Sequence, residues 1–264
     1  MANPKWLTLA DRVAIVTGCG SASGIGFATA RALAELGATV VITATGEHIQ
    51  DRVTELRTQG LDVKGTHADL TSSAGARSVL DFTLREAGIP SILVNNAGMT
   101  SNGSVVESGT AADISEDDWH GGLRRNLDTS FYMSRAVIPH MRQQHFGRLV
   151  FVTSVTGPVM AMHGEAAYAA AKAGLVGLMR SIAIDEAAHG ITSNAVAPGW
   201  IDTGAQTTSE RDEGRHVPLG RSGTATEVAT VIASLCLPGA GYTTGQVITV
   251  DGGNSTSEER RAGN

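Results

Sequence analysis

Residues 13–38 read VAIVTGCGSASGIGFATARALAELGA. The apolar, β-branched run 13–17 has the composition of a buried strand, and the Ala/Leu-rich stretch 25–36 has that of a helix. Between them stand Gly18, Gly20, Gly24 and Gly26. Glycines let a backbone approach a pyrophosphate closely, and a helix N-terminus offers unpaired N–H groups and a favourable dipole. A glycine-rich turn alone is also an ordinary βα connection. Its placement between this strand and this helix favours dinucleotide binding. Outward from this unit the alternation continues. Apolar runs at 39–43, 63–68, 92–95, 149–153, 192–197 and 247–250 separate helical patterns near 47–59, 73–87, 116–144, 166–188 and 225–236. Strand then helix, repeated, implies an α/β protein with a parallel sheet and helices on both faces. Such sheets bind ligands beyond the carboxyl ends of their strands, so function is sought where the seven runs end.

The 264 residues fit one large domain, taken as 1–254, followed by a polar tail at 255–264. Twenty basic against 26 acidic residues give a net charge of −6, which argues against nucleic acid or an anionic membrane as the main partner. Cys19 and Cys236 are far apart without C-x-x-C spacing, and the eight His show no i,i+4 pair. Neither a disulfide framework nor a metal site is expected, and a reduced cytoplasm is the default compartment. No signal-like apolar core follows Lys5 and no apolar run approaches 18 residues, so no membrane segment is expected.

The second run ends in VVITATGEH. An acidic residue here would accept from a ribose 2′-hydroxyl and indicate NAD. None stands at Thr43, Ala44 or Thr45, and Glu47 comes late. No Arg or Lys stands at the turn to meet a 2′-phosphate; Arg52 and the hydroxyls of Thr43 and Thr45 are the available substitutes. On this balance NADP(H) is preferred over NAD(H). The third run ends in HADL and the fourth in NNAG. Asp69 is placed to accept from an adenine amino group or to cap the next helix. Asn95, Ala97 and Gly98 form a small-residue turn able to lie along a cofactor.

Residues 154–172 read SVTGPVMAMHGEAAYAAAK. In a helix, Tyr168 and Lys172 share one face about a turn apart. A phenol is a poor acid or base at neutral pH, and an adjacent ammonium favours the phenolate. Ser154, at the end of the preceding strand, can hold a carbonyl or alcohol oxygen beside the phenol.

Taken in order, the glycine-rich turn, Asp69-Leu70, NNAG, Asn126, Ser154, Tyr168-x-x-x-Lys172, PGWIDT and VDGG resemble the classical short-chain dehydrogenase/reductase family through nearly the whole chain. The resemblance implies a Rossmann-type doubly wound sheet of seven parallel strands, a nicotinamide cofactor, and a tetrad of Asn126, Ser154, Tyr168 and Lys172. In the family the tyrosine is the acid/base and the serine positions the substrate oxygen. The lysine binds the nicotinamide ribose and lowers the tyrosine pKa, and the asparagine anchors a relay water. Cofactor positions carried over are Gly18, Gly24, Ile25, Gly26, Thr45, Asp69, Leu70, Asn96, Ala97, Gly98, Tyr168, Lys172, Pro198, Gly199, Ile201 and Thr203. The implied activity is NAD(P)(H)-dependent interconversion of a ketone and a secondary alcohol, in a homotetramer that pairs helix 166–188 and the preceding helix with a second subunit.

The chain departs from the family pattern in places. Five residues separate Gly18 from Gly24 where three are usual, and the segment 99–115, read as a surface loop, is longer than usual. Gly121-Gly122 should weaken its helix by about 1 kcal/mol each relative to Ala, without a reason visible in the sequence. The small and apolar residues 158–165 imply a fairly apolar carbonyl substrate, with His163 as a surface-loop histidine. The charged stretch 203–217 stands where the family has its lid and is short. A 3-oxoacyl thioester reductase is a special case, for which Arg211, Arg215 and Arg221 offer a small basic patch. Enoyl reduction, dehydration or epimerisation on the same scaffold, or a non-catalytic dinucleotide-binding sensor, are the competing readings. Intact Ser154, Tyr168 and Lys172 count against the sensor, and the tyrosine spacing counts against enoyl reduction.

Overall fold

The computed structural model describes residues 4–98, 108–204 and 206–258. Among the described residues there are nine strands: β1 (Val13–Thr17), β2 (Thr39–Ala44), β3 (Val63–His67), β4 (Ile92–Asn95), β5 (Gly147–Val152), β6 (Ile191–Pro198), β7 (Ile201–Asp202), β8 (Gly223–Thr224) and β9 (Val247–Val250). Seven form one sheet in the order β3-β2-β1-β4-β5-β6-β9, and every neighbouring pair is parallel. Strand order therefore reverses between β1 and β4, the crevice where open α/β sheets bind ligands. The helices are α1 (Ile25–Glu35), α2 (Ile49–Arg57), α3 (Ser73–Glu86), α4 (Glu116–Leu123), α5 (Thr129–Gln144), α6 (Ala166–Asp185), α7 (Thr208–Gly214) and α8 (Ala225–Cys236).

Because side chains alternate along a strand, β1 feeds both faces. Ala14 and Val16 pack with Phe27, Leu33, Val53, Val228 and Ile232, joining α1, α2 and α8 on one side. Ile15 packs with Val79, Met133, Val137, Leu175 and Met179, joining α3, α5 and α6 on the other. By length and composition α6 is apolar enough to cross a membrane. Here its Leu175, Met179 and Ile182 are buried in the second core and it also buries Lys172, as a helix laid on a sheet face does.

The expected helix 116–144 is interrupted. Between α4 and α5 lies a turn of π-helix, Arg124–Asp128, that contains Asn126. Single π turns inside α-helices are frequent at functional sites. The pair β7–β8, whose strands are two residues each, lies outside the expected set. It brings the two ends of the lid stretch together, and residues this short carry no periodic signal. Most of the segment 99–115 lies outside the described residues. Asn254–Thr256, at the start of the polar tail, is a 3-10 turn whose Ser255 N–H donates to Asp251 Oδ2 at 2.6 Å.

Candidate active site

The glycine-rich turn is built against the turn after β4. Asn96 Nδ2 donates to Thr17 O at 2.9 Å and to Gly18 O at 3.1 Å, while the N–H groups of Asn96 and Ala97 donate to Thr17 Oγ1 at 3.0 and 2.8 Å. A Cβ on Gly18 would lie 2.8 Å from Asn96 Nδ2, and one on Gly26 would lie 2.6 Å from the same atom and from Gly18 O. These two glycines are thus required by the loop's own packing as well as by any ligand. Gly24 is the N-cap of α1 and makes no side-chain cap, so the first N–H groups of the helix receive no acceptor from their cap residue's side chain. That cradle fits the phosphates of a dinucleotide. The two additional residues of the loop carry Ser23 to Gly204, whose N–H donates to Ser23 Oγ at 2.8 Å. The sequence showed the lengthening but not where the extra residues reach.

At the end of β2, Thr45 is exposed, but Thr43 is fully buried with Oγ1 unpartnered, which removes it from the ribose-contacting set. Arg52 is paired with Glu55 one turn along α2. Asp69 Oδ1 accepts from Thr71 N–H at 2.9 Å and Thr71 Oγ1 at 2.7 Å, and these bonds hold its carboxyl below the usual range. Ser72, not Asp69, caps α3. Leu70 is buried beneath this turn. On the far side, Pro198 O accepts from Val155 N–H at 3.0 Å and Gly199 N–H donates to Val250 O at 3.0 Å. A Cβ on Gly199 would come within 2.7 Å of Asp251 Cβ, so PGWIDT and VDGG are fitted to each other. Ile201 is buried and Thr203 half-buried just beyond.

The four residues of the expected tetrad come from β5, α6 and the π turn. Asn126 is buried; its Nδ2 donates to Gly122 O at 3.2 Å, and its Oδ1 has no partner. Gly98, at φ +121°, lets the NNAG turn pass within 3.0 Å of that oxygen, measured from where a Cβ would stand. Gly122 thus supplies the anchoring carbonyl, while nothing in the structure explains Gly121. Ser154 accepts from Thr156 N–H at 3.1 Å, and its hydroxyl is close enough to the Tyr168 phenol to lower that group's pKa. Lys172 is buried with Nζ donating to Val152 O at 3.1 Å, and it sits 5.5 Å from the Tyr168 ring centroid. Thr153 Oγ1 donates to Lys172 O at 2.7 Å and ties the helix to the strand end.

The electrostatics differ from the sequence expectation. Tyr168 is pushed up to about 12, chiefly by burial, with the Ser154 hydroxyl opposing the rise and Glu165 and Glu210 adding to it. Burial lowers Lys172 to about 8. Desolvation and two nearby carboxylates outweigh the ammonium that was expected to dominate. Glu165 and Glu210 were not among the residues picked from the sequence. The first stands three residues before the tyrosine; the second arrives from α7, which only the fold brings near.

Between Ser154 and Tyr168, Val159 and Met162 present exposed apolar side chains, and His163 is exposed. The 155–160 turn packs on α6 through Gly157, and Met160 Sδ accepts from Asn254 Nδ2 at 3.8 Å. The lid stretch contains α7, opened by a reciprocal cap in which Glu210 N–H donates to Thr207 Oγ1 and Thr207 N–H donates to Glu210. Among the described residues no group of three His, Cys, Asp or Glu is gathered for a metal.

A family model described as enoyl-(acyl carrier protein) reductase, of the short-chain dehydrogenase/reductase type, matches residues 18–255. The 3-oxoacyl-(acyl-carrier-protein) reductase FabG of Pseudomonas aeruginosa is 37% identical over 254 residues, covering 94% of this chain and 98% of that protein. Its counterpart in Vibrio cholerae is 39% identical over 253 residues, with the same coverage of 94% and 98%. Among solved structures, a candidate gluconate dehydrogenase from Agrobacterium tumefaciens superposes with a TM-score of 0.87 at 28% identity, covering 96% of this chain and 100% of that one. The protein gox2181 superposes equally well, with a TM-score of 0.87, at 33% identity over 96% of this chain and 99% of its own. The chain therefore belongs to the short-chain dehydrogenase/reductase family, and it is an NAD(P)-dependent oxidoreductase acting on CH–OH groups.

Proposed function

We propose that this protein reduces a ketone to a secondary alcohol with NADPH, using Ser154, Tyr168, Lys172 and Asn126. The observation that carries the reading is the buried Lys172 held 5.5 Å from the Tyr168 ring, with the Ser154 hydroxyl beside the phenol. Gly18, Gly24 and Gly26 would hold a nicotinamide cofactor, which would supply the hydride for the carbonyl carbon. Ser154 holds the carbonyl oxygen. Tyr168, protonated at neutral pH because its pKa is pushed up to about 12, donates the proton to that oxygen. Lys172, lowered to about 8, remains mostly cationic at pH 7 and favours the phenolate left behind. Asn126 Oδ1, buried without a partner, accepts from a water that returns the proton. The preference for NADP(H) over NAD(H) rests on the missing acid at residues 43–45. Residues 1–254 are read as one domain of a cytoplasmic homotetramer.

The test follows nicotinamide absorbance with NADPH and NADH against a panel of ketones, diketones and 3-oxoacyl thioesters. Tyr168→Phe should lose turnover by at least about a thousandfold while still binding cofactor; normal turnover by that variant would sink the mechanism. The relatives named as 3-oxoacyl-carrier-protein reductases favour a second reading in which the ketone is a 3-oxoacyl thioester. The same panel decides between them.

A further inference from the structure

We infer that Glu165 is a specificity-determining residue that selects ketones carrying a hydroxyl or ammonium donor next to the reacting carbonyl. The inference rests on the ketone-reduction reading of the Ser154–Tyr168–Lys172 site, and it takes that site, not the carboxylates, as its starting point.

Glu165 is the N-cap residue of α6, three positions before Tyr168, a spacing that brings two side chains to one side of a helix. Its main chain is held from both sides. Gly109 N–H donates to Gly164 O at 2.6 Å, Ala166 N–H donates to Gly109 O at 3.4 Å, and Ala169 N–H donates to Glu165 O at 2.8 Å. The side chain does not cap the helix. Half-buried, it has no hydrogen-bond or ion-pair partner among the described residues. The titratable groups that face it are Tyr168 on its own helix and Glu210 on α7. Glu210 cannot relieve it, because an ionised carboxylate only accepts, as its Oε2 does from Thr207 N–H at 2.7 Å and Thr207 Oγ1 at 2.9 Å. Burial and the charge of Glu210 push the Glu165 carboxyl above its ordinary range.

A partly desolvated carboxylate without a donor is unfavourable, and a ligand that brings a donor gains what the protein leaves unmet. A hydroxyl or ammonium on the carbon beside the carbonyl supplies that donor within reach of a group one helical turn from the phenol. A carboxylate at the same place would add a third negative charge. A simple 3-oxoacyl thioester has no donor there. The apolar Val159 and Met162, from the segment between Ser154 and Tyr168, remain to cover the rest of the substrate.

The experiment measures kcat and KM with NADPH for hydroxyacetone, aminoacetone, butan-2-one, acetoacetate and a 3-oxobutanoyl thioester, in wild type, Glu165→Gln and Glu165→Lys. Wild type should favour hydroxyacetone and aminoacetone over butan-2-one. In Glu165→Gln the aminoacetone-to-butan-2-one ratio of kcat/KM should fall by roughly ten- to a hundredfold, mainly through KM, as expected for a lost charge-assisted hydrogen bond. Glu165→Lys, a second variant, should gain acetoacetate reduction relative to aminoacetone. Ratios that stay put in both variants, or a wild type that prefers the thioester, overturn the assignment of Glu165 while leaving ketone reduction standing. A wild type that turns over no ketone, with cofactor bound, overturns the ketone-reduction reading itself.

Discussion

Lys172 shows how one side chain trades stability for chemistry. Its pKa falls from an ordinary 10.5 to about 8 because the ammonium is buried with one carbonyl partner. Between those values the unfolded chain binds more protons than the folded one, so stability rises with pH through that window and the burial penalty is full below about 8. The shift corresponds to about 3 kcal/mol at neutral pH. Lys172→Met, close in volume and uncharged, is therefore expected to raise the melting temperature at pH 7 while abolishing turnover. Thermal melts and a NADPH assay on the same preparation check both halves. A lowered melting temperature would show that the Val152 bond outweighs desolvation.

Elements are joined by contacts that no single segment contains. Arg142 on α5 donates through Nε and Nη2 to Glu186, just past α6, at 2.7 and 2.6 Å. That pairing holds the Glu186 carboxyl below its ordinary value of 4.5. Because the folded pKa is depressed, the stabilisation is present above about 4.5 and is lost as pH falls through the folded value. Arg142→Ala should lower stability at pH 7, and lower it less below pH 4, where Glu186 becomes protonated. Urea unfolding at the two pH values measures the difference. Gly75 joins elements in another way: a Cβ there would lie 1.8 Å from Asp69 O, so only glycine lets α3 start beneath the Asp69 turn.

At the scale of the whole molecule, one parallel sheet sets every strand end on one edge, and the loops from those ends make the site. The faces of α5 and α6 away from the sheet keep apolar residues in solvent, Phe131 on α5 and Ile184 on α6 among them. Apolar patches of that kind mark association surfaces. The proposed homotetramer predicts a sedimentation-equilibrium mass near four times 27.3 kDa. Phe131→Glu should shift that mass to smaller species, whereas a monomer in wild type would remove the proposal.

The fold was legible because its signals are local. Each of the seven runs is long and apolar enough to read, and the glycine-rich turn names the first βα unit. Tyr168 and Lys172 were legible because helix geometry alone sets a four-residue step on one face. What the tertiary structure decided depends on segments distant in the chain. Asn96 clasps Gly18, Ser23 meets Gly204 across 181 residues, and α7 brings Glu210 toward Tyr168. The direction of the Tyr168 shift belongs with these. An ammonium one turn away is visible in the sequence, whereas desolvation and a carboxylate from another helix exist only once the chain has closed around them.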